Sequence, residues 1–187
     1  MNAQRIPAAP GLAETVFLGL GGNMGDRLEH LRRALVDLRT HPEIEVAQVS
    51  RVYESEFVGD GTQQPYLNAC AEVRTRLAPR VLLTVLKSVE SRHGRPEGSH
   101  LQPRPLDLDI LLFGDRVADE DALTLPHPRL RERAFVLEPL AEIAAGRKFP
   151  DSSETVAAAC AKIRRKGGPW VRLCENMDLS SEVSDGS

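Results

Sequence analysis

The stretch Arg104-Pro105-Leu106-Asp107-Leu108-Asp109-Ile110-Leu111-Leu112-Phe113 sets two acids inside an apolar, strand-like run. Side chains two apart on a strand share a face. Asp107 and Asp109 are therefore expected to point one way, and Leu108, Ile110 and Leu112 the other. The run Ile110–Phe113 predicts a central strand with the acids near its start. Two neighbouring carboxylates repel and desolvate badly in an apolar sheet. A divalent cation removes both penalties, and Mg²⁺ is the oxygen-seeking ion that also holds substrate phosphates. Arg104 adds a planar donor fork suited to phosphate. The plainer alternative is a solvated edge whose acids pair with nearby arginines.

The remaining chain fits one domain over 14–170, with flexible tails at 1–13 and 175–187. Its 187 residues suffice for a full core. No apolar run approaches the roughly 18 residues of a membrane span, and Met1–Pro10 lacks a signal-peptide core. Cys70, Cys160 and Cys174 are widely spaced and form neither a disulfide framework nor a metal pattern. A cytoplasmic chain is expected. Net charge is -3, and the last thirteen residues carry four acids and no base, which leaves the first 174 at +1. Arginines gather around the paired acids, a pattern that suits a small polyanion better than a nucleic acid.

Thr15–Leu20 reads as a strand and Gly21–Gly25 as a glycine-rich turn. The dinucleotide motif fails at Met24, and the Walker A motif fails at Asp26-Arg27. Asp26 is a candidate N-cap for a helix carrying Leu28, Leu31, Leu35 and Leu38 on one face, ended by His41-Pro42. A strand is expected at 44–53 and a polar loop, either disordered or a lid, at 54–65. Tyr66–Thr75 alternates, with Leu67, Ala69, Ala71 and Val73 on one face and Tyr66 and Asn68 on the other. A ring beside an amide suits a flat heterocycle with a donor–acceptor edge, or ordinary strand-end packing. Pro79 opens a second helix through Leu82, Leu86, Val89 and Glu90, and Gly94 closes it. Gly114-Asp115 predicts a hairpin between the acid strand and a strand from Arg116. His127 is held between prolines, and Arg129, Arg131 and Arg133 follow. Phe135–Leu140 leads into a short helix, and Thr155–Arg165 forms a last one. The order β-α-β-β-α-β predicts an α+β, ferredoxin-like sandwich, mostly antiparallel, with helices on one face.

Taken together, G-x-G-G-N at 19–23, P-Y-L-N-A at 65–69, R-P-L-D-L-D-I-L-L-F-G at 104–114, L-P-H-P-R-L at 125–130 and R-A-F-V-L-x-P-L at 133–140 resemble the 6-hydroxymethyl-7,8-dihydropterin pyrophosphokinases of folate biosynthesis. The resemblance spans about 15–150. It implies transfer of pyrophosphate from ATP to the pterin hydroxymethyl group, with AMP released. By that resemblance Asp107 and Asp109 look like ligands of two Mg²⁺, and Tyr66 and Phe135 like rings that sandwich the pterin. Asn68 looks like the reader of its edge, with Ser55 and Val58 on the adjoining loop. Glu90, Ile110 and Thr124 look like nucleotide-side residues, and Arg95, Arg104, His127 and Arg133 like phosphate holders, Arg95 and Arg104 also catalytic. The loops at 54–65 and 95–103 look like mobile covers. A monomer acting on small molecules is implied, without nucleic acid or membrane. Glu97, Leu101, Gln102 and Pro128 depart from the family pattern, which implies altered ATP contacts. A nucleotidyltransferase and a non-catalytic pterin-binding homologue remain as rival readings.

Overall fold

The structure, a computed structural model, describes residues 13–59, 61–94 and 102–179. In chain order it forms β1 (Glu14–Gly22), α1 (Arg27–Thr40), β2 (Ile44–Val49), β3 (Tyr53–Ser55), β4 (Tyr66–Thr75) and α2 (Pro79–Arg92). These are followed by β5 (Asp107–Phe113), β6 (Ala118–Glu120), β7 (Leu123–Leu125), α3 (Ala134–Ala144), α4 (Val156–Lys166) and β8 (Val171–Leu173). The main sheet runs β5-β1-β4-β3-β8, and β2 also pairs with β4. Every pairing is antiparallel. The fold is thus the α+β ferredoxin-like sandwich that the element order implies.

Alternation along the strands builds two faces. Val16, Leu18 and Leu20 of β1, Leu67, Ala69, Ala71 and Val73 of β4, and Leu108 and Ile110 of β5 pack against Leu31, Leu35, Leu38, Leu82, Leu86 and Val89 of α1 and α2. The Asp26 carboxylate caps α1 by accepting from Glu29 N at 3.1 Å, and Pro79 starts α2. A second helical layer lies on the opposite face, beyond the one-faced plan expected. There α3 packs on β4 and α4 packs on α3, with Phe17, Cys70, Leu111 and Leu112 beneath them.

Several local expectations are corrected. β5 is an edge strand rather than a central one, bonded within the sheet only to β1 among the described residues. Its outer polar groups are met instead by Glu90, which accepts from Leu108 N at 2.7 Å, and by His127 N, which donates to Leu111 O at 2.9 Å. A bulge lies in β5 opposite Phe17/Leu18, where Leu18 pairs with Ile110 and Phe17 with Leu112. The extra residue turns Leu112 to the acid-bearing face, since one inserted residue inverts the alternation. The Gly114 turn forms, at φ +49, yet the hairpin that follows joins β6 to β7 in a separate two-stranded sheet.

The expected 44–53 strand divides into β2 and β3, which pair with opposite halves of β4. Ser50 bridges the break, its N–H donating to Cys70 O at 2.8 Å and its Oγ accepting from Cys70 N at 2.9 Å. Gly21 and Gly22 belong to β1 rather than to a turn. Gly22 is needed for close approach, because a Cβ there would sit 2.2 Å from Pro105 O. At the C-terminal end, β8 joins the sheet beyond residue 170. Asp178 O accepts from Arg32 Nε at 2.9 Å, and Leu179 is buried beside α1.

Candidate active site

The sheet face opposite α1 and α2 is only partly covered by α3. Beside α3 lies a cavity of about 420 Å³. Its floor consists of alternate residues of three strands: Gly19 and Gly21 of β1, Asn68 and Cys70 of β4, and Asp107, Asp109 and Leu111 of β5. Asp107 pairs across the ladder with Gly21, and Asp109 with Gly19. Neither glycine adds a side chain beside the carboxylates, although Leu111 packs over Gly19. The walls come from Ser55–Val58 after β3, from Tyr66, and from Phe135 and Val136 at the start of α3. Arg104, His127, Arg129, Arg133 and Lys87 form a basic rim.

The acids are engaged but accessible. Arg104 Nη1 donates to Asp107 Oδ2 at 3.3 Å, and His127 Nε2 lies 3.9 Å from Asp109 Oδ2. The Asp109 side chain is 39% exposed. Burial pushes the His127 ring below the ordinary histidine value, and Arg133 and Arg129 add to this against the pull of Asp109. Burial likewise lowers Arg133, aided by Arg129. The rim therefore holds basic groups partly stripped of water, whose charged forms a polyanionic ligand would favour.

On the other side, Asn68 Nδ2 donates to Ser55 Oγ at 2.9 Å, so the amide is fixed and buried. The rings of Phe57 and Tyr66 lie nearly parallel, 6.4 Å apart at 21°. The Arg133 guanidinium lies 5.4 Å from the Phe135 ring centroid. Asn23, also buried, ties two walls together. Its Nδ2 donates to Gln63 Oε1 at 3.0 Å, and its Oδ1 accepts from Arg104 N at 2.8 Å.

Of the residues singled out from the sequence, the cavity brings together Asp107, Asp109, Arg104, Tyr66, Asn68, Phe135, Ser55, Val58, His127 and Arg133. Three others lie apart from its lining. Ile110 is buried in the α1/α2 core. Thr124 lies on β7, its hydroxyl 3.4 Å from Asp119 Oδ1. Glu90 is buried beneath β5, where Lys87 Nζ donates to it at 2.9 Å while it accepts from Leu108 N, between the two acids. Arg95, Glu97 and Leu101 lie outside the described residues, as does most of the expected 95–103 cover. Sequence reading missed Phe57, Lys87 and Arg129 as lining residues. Phe57 carried one signal, a lone aromatic in a polar loop.

The donor set suits Mg²⁺. Among the described residues no cluster of three or more His, Cys, Asp or Glu side chains is poised for a metal. Two carboxylates beside open space match an ion that keeps most of its ligands as water and phosphate oxygen.

Comparison with solved structures agrees with the fold. A wild-type Plasmodium falciparum HPPK-DHPS structure with pteroate superposes with a TM-score of 0.64 at 13% identity, covering 80% of this chain and 44% of that one. The class is thus a ferredoxin-like sandwich with an acid pair facing a basic rim. Residues 17–145 match the family model described as 7,8-dihydro-6-hydroxymethylpterin-pyrophosphokinase. A 2-amino-4-hydroxy-6-hydroxymethyldihydropteridine pyrophosphokinase of Bacillus subtilis is 42% identical over 127 residues, 68% of this chain and 76% of that protein. The Pseudomonas aeruginosa protein of the same name is 37% identical over 80% of this chain and 93% of its own length. A folate synthesis bifunctional protein of Arabidopsis thaliana is 39% identical over 86% of this chain and 34% of its own. The chain belongs to the 7,8-dihydro-6-hydroxymethylpterin-pyrophosphokinase family.

Proposed function

We propose that this cavity is where the chain carries out its family's reaction: pyrophosphate passes from ATP to the hydroxymethyl group of 6-hydroxymethyl-7,8-dihydropterin, a step of folate biosynthesis. The observation that carries the reading is the joining, in one cavity, of the Asp107/Asp109 pair with Tyr66, Asn68 and Phe135 under a basic rim. The pterin lies against Tyr66 and Phe135, with Asn68 presenting its amide to the heterocycle edge. The triphosphate lies along Arg104, His127, Arg129, Arg133 and Lys87, with Arg95 assigned to the same role. Asp107 and Asp109 are the residues that would hold two Mg²⁺. When bound there, the metal supplies neutralisation of phosphate charge and lowers the pKa of a coordinated hydroxyl.

The hydroxymethyl oxygen forms a bond to the β-phosphorus. The bond from that phosphorus to the α,β-bridging oxygen breaks, and AMP leaves with the bridging oxygen. The hydroxyl proton goes to solvent. Alignment and charge stabilisation dominate such transfers, so no strong protein nucleophile is needed. The fixed Asn68–Ser55 pair orients the acceptor, and the rim cations hold the phosphates in line. The walls limit water, which competes with the alcohol.

Among the described residues no helix is long and apolar enough to cross a membrane. The proposal includes a monomer acting on small molecules in the cytoplasm, checked by light scattering and fractionation. The reaction itself is tested with labelled ATP and the pterin. AMP and pterin diphosphate in equal amounts are expected. Pyrophosphate as the leaving group, the signature of a nucleotidyltransferase, or no turnover at all, overturns it.

A further inference from the structure

The residues that line the pterin side of the cavity rest on a polar chain that the reaction itself does not use. Glu54, on β3 directly before Ser55, is 8% exposed. Its Oε1 accepts from Arg27 Nη1 at 2.9 Å, and its Oε2 from Arg172 Nε at 3.0 Å. The same Arg27 Nη1 donates to Pro65 O at 2.7 Å, one residue before Tyr66. Arg172 lies on β8, opposite Glu54 in the ladder. Next to it, Trp170 N donates to Glu56 Oε1 at 3.0 Å and Glu56 N donates to Trp170 O at 3.3 Å. One carboxylate therefore ties three segments: the strand feeding Ser55–Val58, the turn feeding Tyr66, and β8, which lies beyond the family-matched region.

We propose that the Arg172–Glu54–Arg27 chain is a positioning brace that sets the separation of the Ser55–Val58 and Tyr66 walls, and with it pterin affinity, from the C-terminal strand. The reading of this side as the pterin site underlies it. Removing one arginine leaves a buried carboxylate underpartnered, which costs more than the pair's net worth. Burial pushes the Glu54 carboxyl up, and the bonds from Arg172 and Arg27 outweigh it, so the group sits below the usual carboxylate range. The brace is then charged at neutral pH. The triphosphate rim comes from Arg104, Lys87 and the 127–133 segment, none of which touches Glu54 in these contacts. A fault in the brace is therefore felt first on the pterin side, and reaches Arg104 only indirectly, through Asn23 and the Gln63–Gln64 turn.

The test uses the full chain with Arg172→Ala, Arg172→Lys and Glu54→Gln, each held well below its melting temperature. Pterin KM and ATP KM are measured by initial rates. Equilibrium binding of 6-hydroxymethylpterin is measured beside them in the presence of Mg²⁺ and a non-hydrolysable ATP analogue. Arg172→Ala and Glu54→Gln are expected to raise pterin KM and Kd about tenfold, the equivalent of ~1.4 kcal/mol. ATP KM and kcat should stay within about twofold, and Arg172→Lys should recover part of the loss. Pterin affinity unchanged in folded Arg172→Ala overturns the brace. So does a parallel fall in pterin and ATP affinity, which marks a general structural role. A wild-type chain that binds ATP but no pterin overturns the site reading and the brace together.

Discussion

The two faces of the central strands are made from the same peptide and do opposite work. On the α1/α2 face β1, β4 and β5 present Val16, Leu18, Leu20, Leu67, Ala69, Ala71, Val73, Leu108 and Ile110, all buried. On the other face the intervening residues include Gly19, Gly21, Asn68, Asp107 and Asp109. The first face is dry and fixes the register. The second gains no burial energy from its acids and glycines, which are tolerated because the first anchors every strand. At the cavity floor, stability and chemistry are thus separated by a period of two, while farther along the same face Phe17, Leu111 and Leu112 return to core under α3 and α4.

The sharpest break of this comparison is Asp107→Asn with Asp109→Asn. Transfer should fall by about 10⁴-fold or more, ~5 kcal/mol of barrier, while melting temperature holds or rises as repulsion is relieved. Loss of fold with activity would deny the separation of faces. The reverse experiment is Leu18→Ala on the dry face, where a side chain with no exposure is lost. Stability should drop by about 2–5 kcal/mol in denaturant titration, with kcat per folded molecule within about twofold.

Neighbouring glycines sharpen the contrast. A Cβ on Gly21 meets Asn68 Oδ1 at 3.4 Å, an ordinary contact, and projects into the cavity. Gly21→Ala should fold normally and raise pterin KM severalfold, on the order of 1 kcal/mol. A Cβ on Gly22 meets Pro105 backbone, so Gly22→Ala should lower the melting temperature as well as the rate.

The smallest effect concerns the far end of α2. His93 is held below the usual histidine value, by burial first and then by the neighbouring His30, against Asp37. The unfolded chain therefore takes up this proton more readily. The contribution of His93 is complete above its unfolded value of about 6.5 and is lost as pH falls from there toward the lower folded value. His93→Asn should flatten the stability profile below pH 6.5, seen in melting curves, with little change at pH 8.

The parts of this plan that alternate were legible in the sequence. Tyr66 and Asn68 sit on one strand and Asp107 and Asp109 on another, and spacing alone assigned a shared face within each pair. Leu112 was misassigned because a bulge is a pairing property that one strand cannot reveal. β5 was read as central because its apolar run looks doubly buried, whereas Glu90 and His127 cover its edge. The hairpin was placed one strand early, since a Gly-Asp turn does not say which strands it joins. Arg129 reaches the cavity from a loop, where no period marks its direction, and Lys87 reaches it from the half-exposed side of α2, where a lysine reads as ordinary solvated surface. Leu179 was given to a tail because the acidic composition of 175–187 hides one anchoring leucine, and β8 escaped notice because three residues are too short to show alternation.

The most direct test is a crystal of the chain with Mn²⁺ in place of Mg²⁺, a non-hydrolysable ATP analogue and 6-hydroxymethylpterin. Anomalous peaks about 2 Å from oxygens of both Asp107 and Asp109, with the β- and γ-phosphates on the same ions and the pterin between Tyr66 and Phe135, are the predicted result. Metal bound elsewhere, or a triphosphate lodged away from the acid pair, would contradict it.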